Sequence, residues 1–140
     1  MENYNEAIWS IIRHLIISDL RFVIYGVILI AIVAIGVSKR YVSKRAFLWA
    51  GIIIAVCFSY PVYEGVAFYF DVNNEEYIVY EGEFEFQYIF GRTGDNVKLK
   101  DKNGMIVSNW YYDLDSQTYQ GKVVYTKRTK YVLYIEVNDT

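Results

Sequence analysis

The sequence predicts a transmembrane α-helical hairpin followed by a small all-β domain, and three observations carry that reading. Residues 22–38 and 46–63 are two apolar runs without a single charge. They are joined by the basic connector Lys39-Arg40-Tyr41-Val42-Ser43-Lys44-Arg45. From Tyr77 onward the hydrophobic period changes from helical to alternating, as a strand with one buried face requires.

The elements divide the chain into three expected parts: residues 1–21, 22–63 and 64–140. In the first, Ile8, Ile11, Ile12, Leu15 and Ile16 recur at helical spacing, with Trp9 beside them and Glu6, Ser10, Arg13 and His14 around the wheel. Such a stretch suits an amphipathic helix in the membrane interface or an extension of the first span. A cleaved signal peptide is the rival reading of residues 22–38. It fits poorly, because the leading stretch carries acids and the densest positive charge follows the apolar run.

Each run sits at the short end of the roughly 17–25 residues needed to cross about 30 Å of hydrocarbon. A pair of buried core helices would show a polar face, and neither run has one. Four connector cations without an acid place the connector on the cytoplasmic side, so both termini are expected outside the cytoplasm. Phe47 and Trp49 at one end of the second run, and Tyr60 and Tyr63 at the other, fit an aromatic belt. Pro61 falls where that helix is expected to end. Ala46 and Ala50, and Gly51 and Ala55, are small-residue pairs that permit close helix approach.

Strands are expected over a long segment from Tyr77 and at residues 97–102, 105–110, 119–126 and 131–137. In Glu83-Phe84-Glu85-Phe86-Gln87-Tyr88-Ile89-Phe90 every even position is aromatic. Pairing Phe90 with Val97 and Tyr88 with Leu99 keeps that face apolar, and sets Gln87 against Lys100 and Glu85 against Lys102 on the other. Asn103-Gly104 is a hairpin signal, and Gly82 permits a bend. Five short strands fit a meander or a small barrel, SH3-like or oligonucleotide-binding (OB)-like.

Charge is divided between the halves: residues 1–70 are net +2 and residues 71–140 net −4, giving the −2 of the whole chain. An acidic second half argues against nucleic acid as a partner, since phosphate neutralisation needs clustered Lys and Arg. Cys57 is the only cysteine, so no intramolecular disulfide forms. His14 is the only histidine, far in sequence from any nucleophile it would serve. Asp113 and Asp115 resemble the start of a calcium loop but lack its glycine and later glutamate. No catalytic set, metal site or cofactor is therefore expected.

Binding is expected in the tyrosine-rich last third, at Tyr111, Tyr112 and Tyr119, whose rings combine an apolar body with a polar tip. Lys127, Arg128 and Lys130, at an expected hairpin tip, are candidates for an anionic partner. The reading is thus a non-enzymatic two-pass membrane protein, with the lipid bilayer and a membrane or extracytoplasmic protein as its partners. It would act as an accessory subunit or an immunity-type factor. The alternative is a membrane-anchored sensor that binds a ligand or wall polymer.

Overall fold

The computed structural model describes residues 4–41, 43–87, 95–102, 106–109 and 114–138. They form two helices, α1 (Asn5–Ser38) and α2 (Lys44–Asn73), and five strands, β1 (Tyr77–Gln87), β2 (Asp95–Leu99), β3 (Ile106–Asn109), β4 (Thr118–Thr126) and β5 (Val132–Val137). The chain divides into two compact units, residues 14–66 and residues 1–13 with 67–140.

Both helices outrun the boundaries expected from the sequence. α1 has 34 residues and does not break between residues 21 and 22. α2 has 30 and runs straight through Pro61, so the expected end there is corrected. Proline removes one backbone hydrogen bond, yet α2 continues past it to Asn73.

What ends the helices is a left-handed residue. At the close of α1, Arg40 has φ 60°; its amide donates to the Val37 carbonyl at 3.0 Å, and that of Tyr41 donates to Gly36 at 2.9 Å. At the close of α2, Glu75 has φ 52°, with Glu75 N donating to Val72 at 3.2 Å and Glu76 N to Asp71 at 2.9 Å. Both are Schellman caps built without glycine. Ser43 starts α2 by accepting the Ala46 amide at 3.2 Å, a Ser N-cap.

Within residues 14–66 the helices approach where Gly26 faces Phe58. A methyl group on Gly26 would lie 2.6 Å from the Phe58 ring. Gly51, by contrast, has nothing within 4 Å of the same test position. The close approach at Phe58 therefore uses Gly26 on the first helix, whereas Gly51 on the second is not closely approached.

The strands form one antiparallel sheet in the order β3-β2-β1-β4-β5. A simple meander would set β4 beside β3. Instead β4 returns to pair along β1, from Tyr77↔Thr126 to Glu85↔Thr118. β3 and β5, at opposite ends of that order, approach one another, so the sheet is rolled. Gly82 and Gly121 face one another in the β1–β4 pairing. Gly82 has φ 153°, and a methyl on Gly121 would overlap the backbone carbonyl of Glu136; both positions demand glycine.

The expected β1–β2 faces are retained, but the pairing is corrected. Phe84 opposes Leu99 and Phe86 opposes Val97. Leu99 thus exchanges Tyr88 for Phe84, an even step that leaves the apolar face unchanged. On the other face Glu85 opposes Lys98, and Lys100 meets Glu83 at 2.7 Å. Tyr88, Phe90 and Asn103-Gly104 lie outside the described residues.

The interior of the roll is Tyr80, Phe84, Phe86, Val97, Leu99, Val123, Tyr125 and Val132. Each such side chain contributes about 1.5–3 kcal/mol by leaving water. The far end of β4 is covered on both faces, since Val123, Val124, Tyr125 and Thr126 are all buried. The extra cover includes the outer ends of the helices: Ala7 and Ile11 on α1, and Ala67, Phe68 and Asp71 on α2, are buried. Phe68 packs edge-on against Tyr131 with ring centroids 5.5 Å apart.

Candidate binding surface

The β4–β5 turn follows from its sequence. Lys130 takes the left-handed position at φ 57°, and its amide donates to the Thr126 carbonyl at 3.0 Å. This leaves the amides of Arg128 and Thr129 pointing together. Asp71 of α2 accepts both on Oδ2, at 3.0 and 3.1 Å, along with the Thr129 hydroxyl at 3.2 Å.

The hydrogens in this network are fixed by elimination. Thr129 Oγ1 donates to the carboxylate, so in its 2.7 Å contact with Thr126 Oγ1 it must accept. Thr126 Oγ1 therefore donates there while accepting the Tyr131 amide at 2.9 Å. A directed chain runs from Tyr131 N–H through two threonines to Asp71, whose side chain is fully buried.

This network absorbs part of the basic cluster singled out by the sequence. Arg128 Nε lies 3.9 Å from Asp71 Oδ1, and Arg128 Nη2 lies 3.3 Å from Glu76 Oε2. Lys127 donates its amide to the Glu76 carbonyl at 3.0 Å and holds its ammonium 3.8 Å from Glu76 Oε2. Lys127, Arg128 and Lys130 thus share one turn, and the first two face acids of the same chain. Asp71 and Glu76 are residues the sequence did not single out, because nothing local marks their partners.

Tyr119 sits elsewhere, at the start of β4. Its ring lies 5.9 Å from that of Phe84, and its hydroxyl donates to the Asp115 carbonyl at 3.0 Å. Tyr111, Tyr112 and Asp113 lie outside the described residues. Three other tyrosines do gather: Tyr4 lies 5.6 Å from Tyr77 and 6.3 Å from Tyr134. Lys122 Nζ stands 5.8 Å from the centre of the Tyr134 ring, a cation–π distance.

The remaining outer face of the sheet is a ladder of mixed charge. Glu81 opposes Lys122, and Lys122 opposes Glu136 on β5. The Glu83–Lys100 pair holds the Lys100 ammonium above its ordinary pKa through that hydrogen bond and the carboxylate charge. A shallow groove of about 470 Å³ crosses this face over the Gly82–Gly121 pair, walled by Glu81, Gln120, Lys122, Glu136 and Asn138.

Beside Gly82, the Tyr80 hydroxyl donates to the Glu83 carbonyl at 2.9 Å and lies 3.2 Å from Asp101 Oδ2. Burial pushes its pKa up, with the neighbouring Asp101 carboxylate adding to the shift. Burial likewise raises Tyr77, with smaller contributions from the charges of Glu75 and Asp71.

No protein-family model matches the chain, and neither a curated protein nor a solved structure does. The structure itself defines two long apolar helices joined to a rolled antiparallel β domain.

Proposed function

We propose that this chain is a two-pass membrane protein displaying its β domain outside the cytoplasm to bind another protein, as an accessory subunit or an immunity-type factor. The observation that carries this reading is the contrast between the two outer regions of the sheet. The region at the end of β4 is consumed by contacts with the chain's own helix ends. The Glu81/Glu83/Glu85 and Lys98/Lys100/Lys122 region remains open, with charges of both signs in fixed register. Alternating charge on a rigid sheet favours recognition of a complementary protein face, giving specificity and speed of encounter.

The strand order, with β4 paired to β1 and β3 approaching β5, supports an OB-like circuit over an SH3-like one. The connector cations support the orientation. Reporters fused after Thr140 and within the connector test it: a cytoplasmic C-terminus would overturn both the orientation and the class of partner. For the binding role, the full chain is isolated in mild detergent and its co-purifying protein is compared with that of Glu81→Lys/Glu83→Lys. Binding lost in the double variant supports the reading; recovery of monomer alone under several detergents overturns it.

A second reading is a membrane-anchored sensor of a ligand or wall polymer. It is favoured by the groove and the Tyr4–Tyr77–Tyr134 cluster at the helix-proximal end of the same face. Retention of wall polymer that survives replacement of Tyr134, and separately of Tyr111, Tyr112 and Tyr119 together, would remove it.

A further inference from the structure

β1 is paired along nearly its whole length on one side and along only half of it on the other. Pairing with β4 runs from Tyr77 to Glu85, whereas pairing with β2 begins only at Phe84. There Lys100 donates its amide to the Glu83 carbonyl at 3.2 Å, and residues 100–102 turn away. Residues of an antiparallel strand alternate between bonding toward one neighbour and toward the other. The Phe86 amide donates to the Gln117 carbonyl and the Lys127 amide to that of Glu76, so the even-numbered residues of β1 bond toward β4. The Glu83 carbonyl accepts from Lys100, so the odd-numbered residues face the β2 side. Val79 and Glu81 therefore direct their amides and carbonyls away from β4, and among the described residues nothing bonds those groups.

Nothing in this half-edge discourages a further strand. Tyr77-Ile78-Val79-Tyr80 is all β-branched or aromatic, and the stretch to Gly82 holds neither the proline nor the lysine that blunts exposed edges. Val79 is 54% exposed, and Glu81 is exposed beside it. The strand that covers the other half shows which chemistry fits. β2 sets Lys98 opposite Glu85 and brings the Lys100 ammonium to 2.7 Å from Glu83. The row of acids continues to Glu81, but the lysines of β2 stop. A strand prolonging that row places a basic residue against Glu81 and, two positions on, an apolar one against Val79. The net charge of −4 on residues 71–140 favours the same sign of partner.

We propose that an extended segment of a partner protein, carrying a basic residue two positions before an apolar one, adds to the half-edge of β1 as a further antiparallel strand. Its backbone supplies bonds to the amides and carbonyls of Val79 and Glu81, and its alternate side chains give selectivity. The inference rests on the protein-binding reading of the proposed function and goes beyond it by naming the edge that is used and the form the partner takes.

The test uses the full chain in mild detergent and two acetylated, amidated peptides, Thr-Thr-Lys-Thr-Val-Thr and the same sequence with Glu in place of Lys. Without peptide, the Val79 and Glu81 amides should exchange hydrogen with solvent quickly, while those of Tyr80 and Val123 exchange slowly. Saturating Lys peptide should slow Val79 and Glu81 by about tenfold or more, and the Glu peptide should do so far less. Val79→Pro removes only an outward amide, so Val123 should stay slow while the Lys peptide loses its protection of Glu81. If that variant misfolds, Glu81→Lys leaves the backbone unchanged and should turn the preference toward the Glu peptide. Slow Val79 and Glu81 amides without peptide would overturn the proposal, since this chain or a second copy then covers the edge. Equal protection by both peptides, or protection by neither, would also overturn it. A protein that co-purifies with Val79→Pro but not with Glu81→Lys/Glu83→Lys refutes the edge and leaves the proposed function standing, whereas monomer alone removes both.

Discussion

Residues 14–66 and the β domain use the same apolar residue types in opposite ways. Val27, Ile28, Ile32 and Ile53 are about half exposed or more, whereas Val97, Leu99 and Val123 are fully buried. In the sheet, water drives apolar side chains together. In the two helices, whose apolar side chains stay exposed, contact depends on shape, as where Gly26 admits the Phe58 ring. The comparison teaches that exposure in this chain reports the expected solvent of each region, and it can be broken from either side.

The largest expected effect is in the domain core. Phe84→Ala should cost about 3–5 kcal/mol of domain stability by denaturant unfolding, and should leave membrane insertion unchanged. The converse change is Ile28→Arg, which should cost about 3–4 kcal/mol in an insertion assay and leave the sheet intact. A domain destabilised by Ile28→Arg as much as by Phe84→Ala would erase the distinction between the two regions.

Where helix and sheet meet inside the domain unit, the effect is electrostatic. Asp71→Ala strands the Arg128 and Thr129 amides and should cost about 2–4 kcal/mol. Asp71→Asn, which keeps an acceptor, should cost less. Equal losses for the two variants, measured by denaturation, would show that burial of the side chain matters and its hydrogen bonds do not.

A smaller effect is expected at high pH. Tyr80 and Tyr77 hold their protons more tightly when folded, so unfolded chains lose them first as pH passes about 10. Stability should be fully present below that pH and fall above it. Tyr80→Phe should flatten the alkaline slope, even though it lowers stability at neutral pH by removing the bond to Glu83; an unchanged slope would count against a proton held at Tyr80. The smallest effect belongs to the exposed Glu83–Lys100 pair. Glu83→Gln should lower the denaturation midpoint only slightly, and less in high salt.

Much of the fold was legible from periodicity. Charge-free runs mark the two long apolar helices because composition is local, and the alternation around Phe84 and Phe86 marks the inner face because strand parity is local. Register was not legible, since pairing Leu99 with Tyr88 or with Phe84 satisfies the same parity. The ends of α2 were misjudged at Pro61 because a helix stop depends on where the left-handed cap falls, here at Glu75. In the candidate surface, the basic turn at residues 127–130 could be read from the sequence. Its partner could not, for Asp71 lies 57 residues from Arg128 and 58 from Thr129.

The sequence by itself thus determined which segments form long apolar helices and which face of the long first strand turns inward, because both follow from spacing along the chain. Only the tertiary structure decided that β4 returns to β1, that two glycines face one another across those strands, and that a helix carboxylate closes the β4–β5 turn. Those outcomes depend on groups distant in sequence reaching hydrogen-bond or van der Waals distance together.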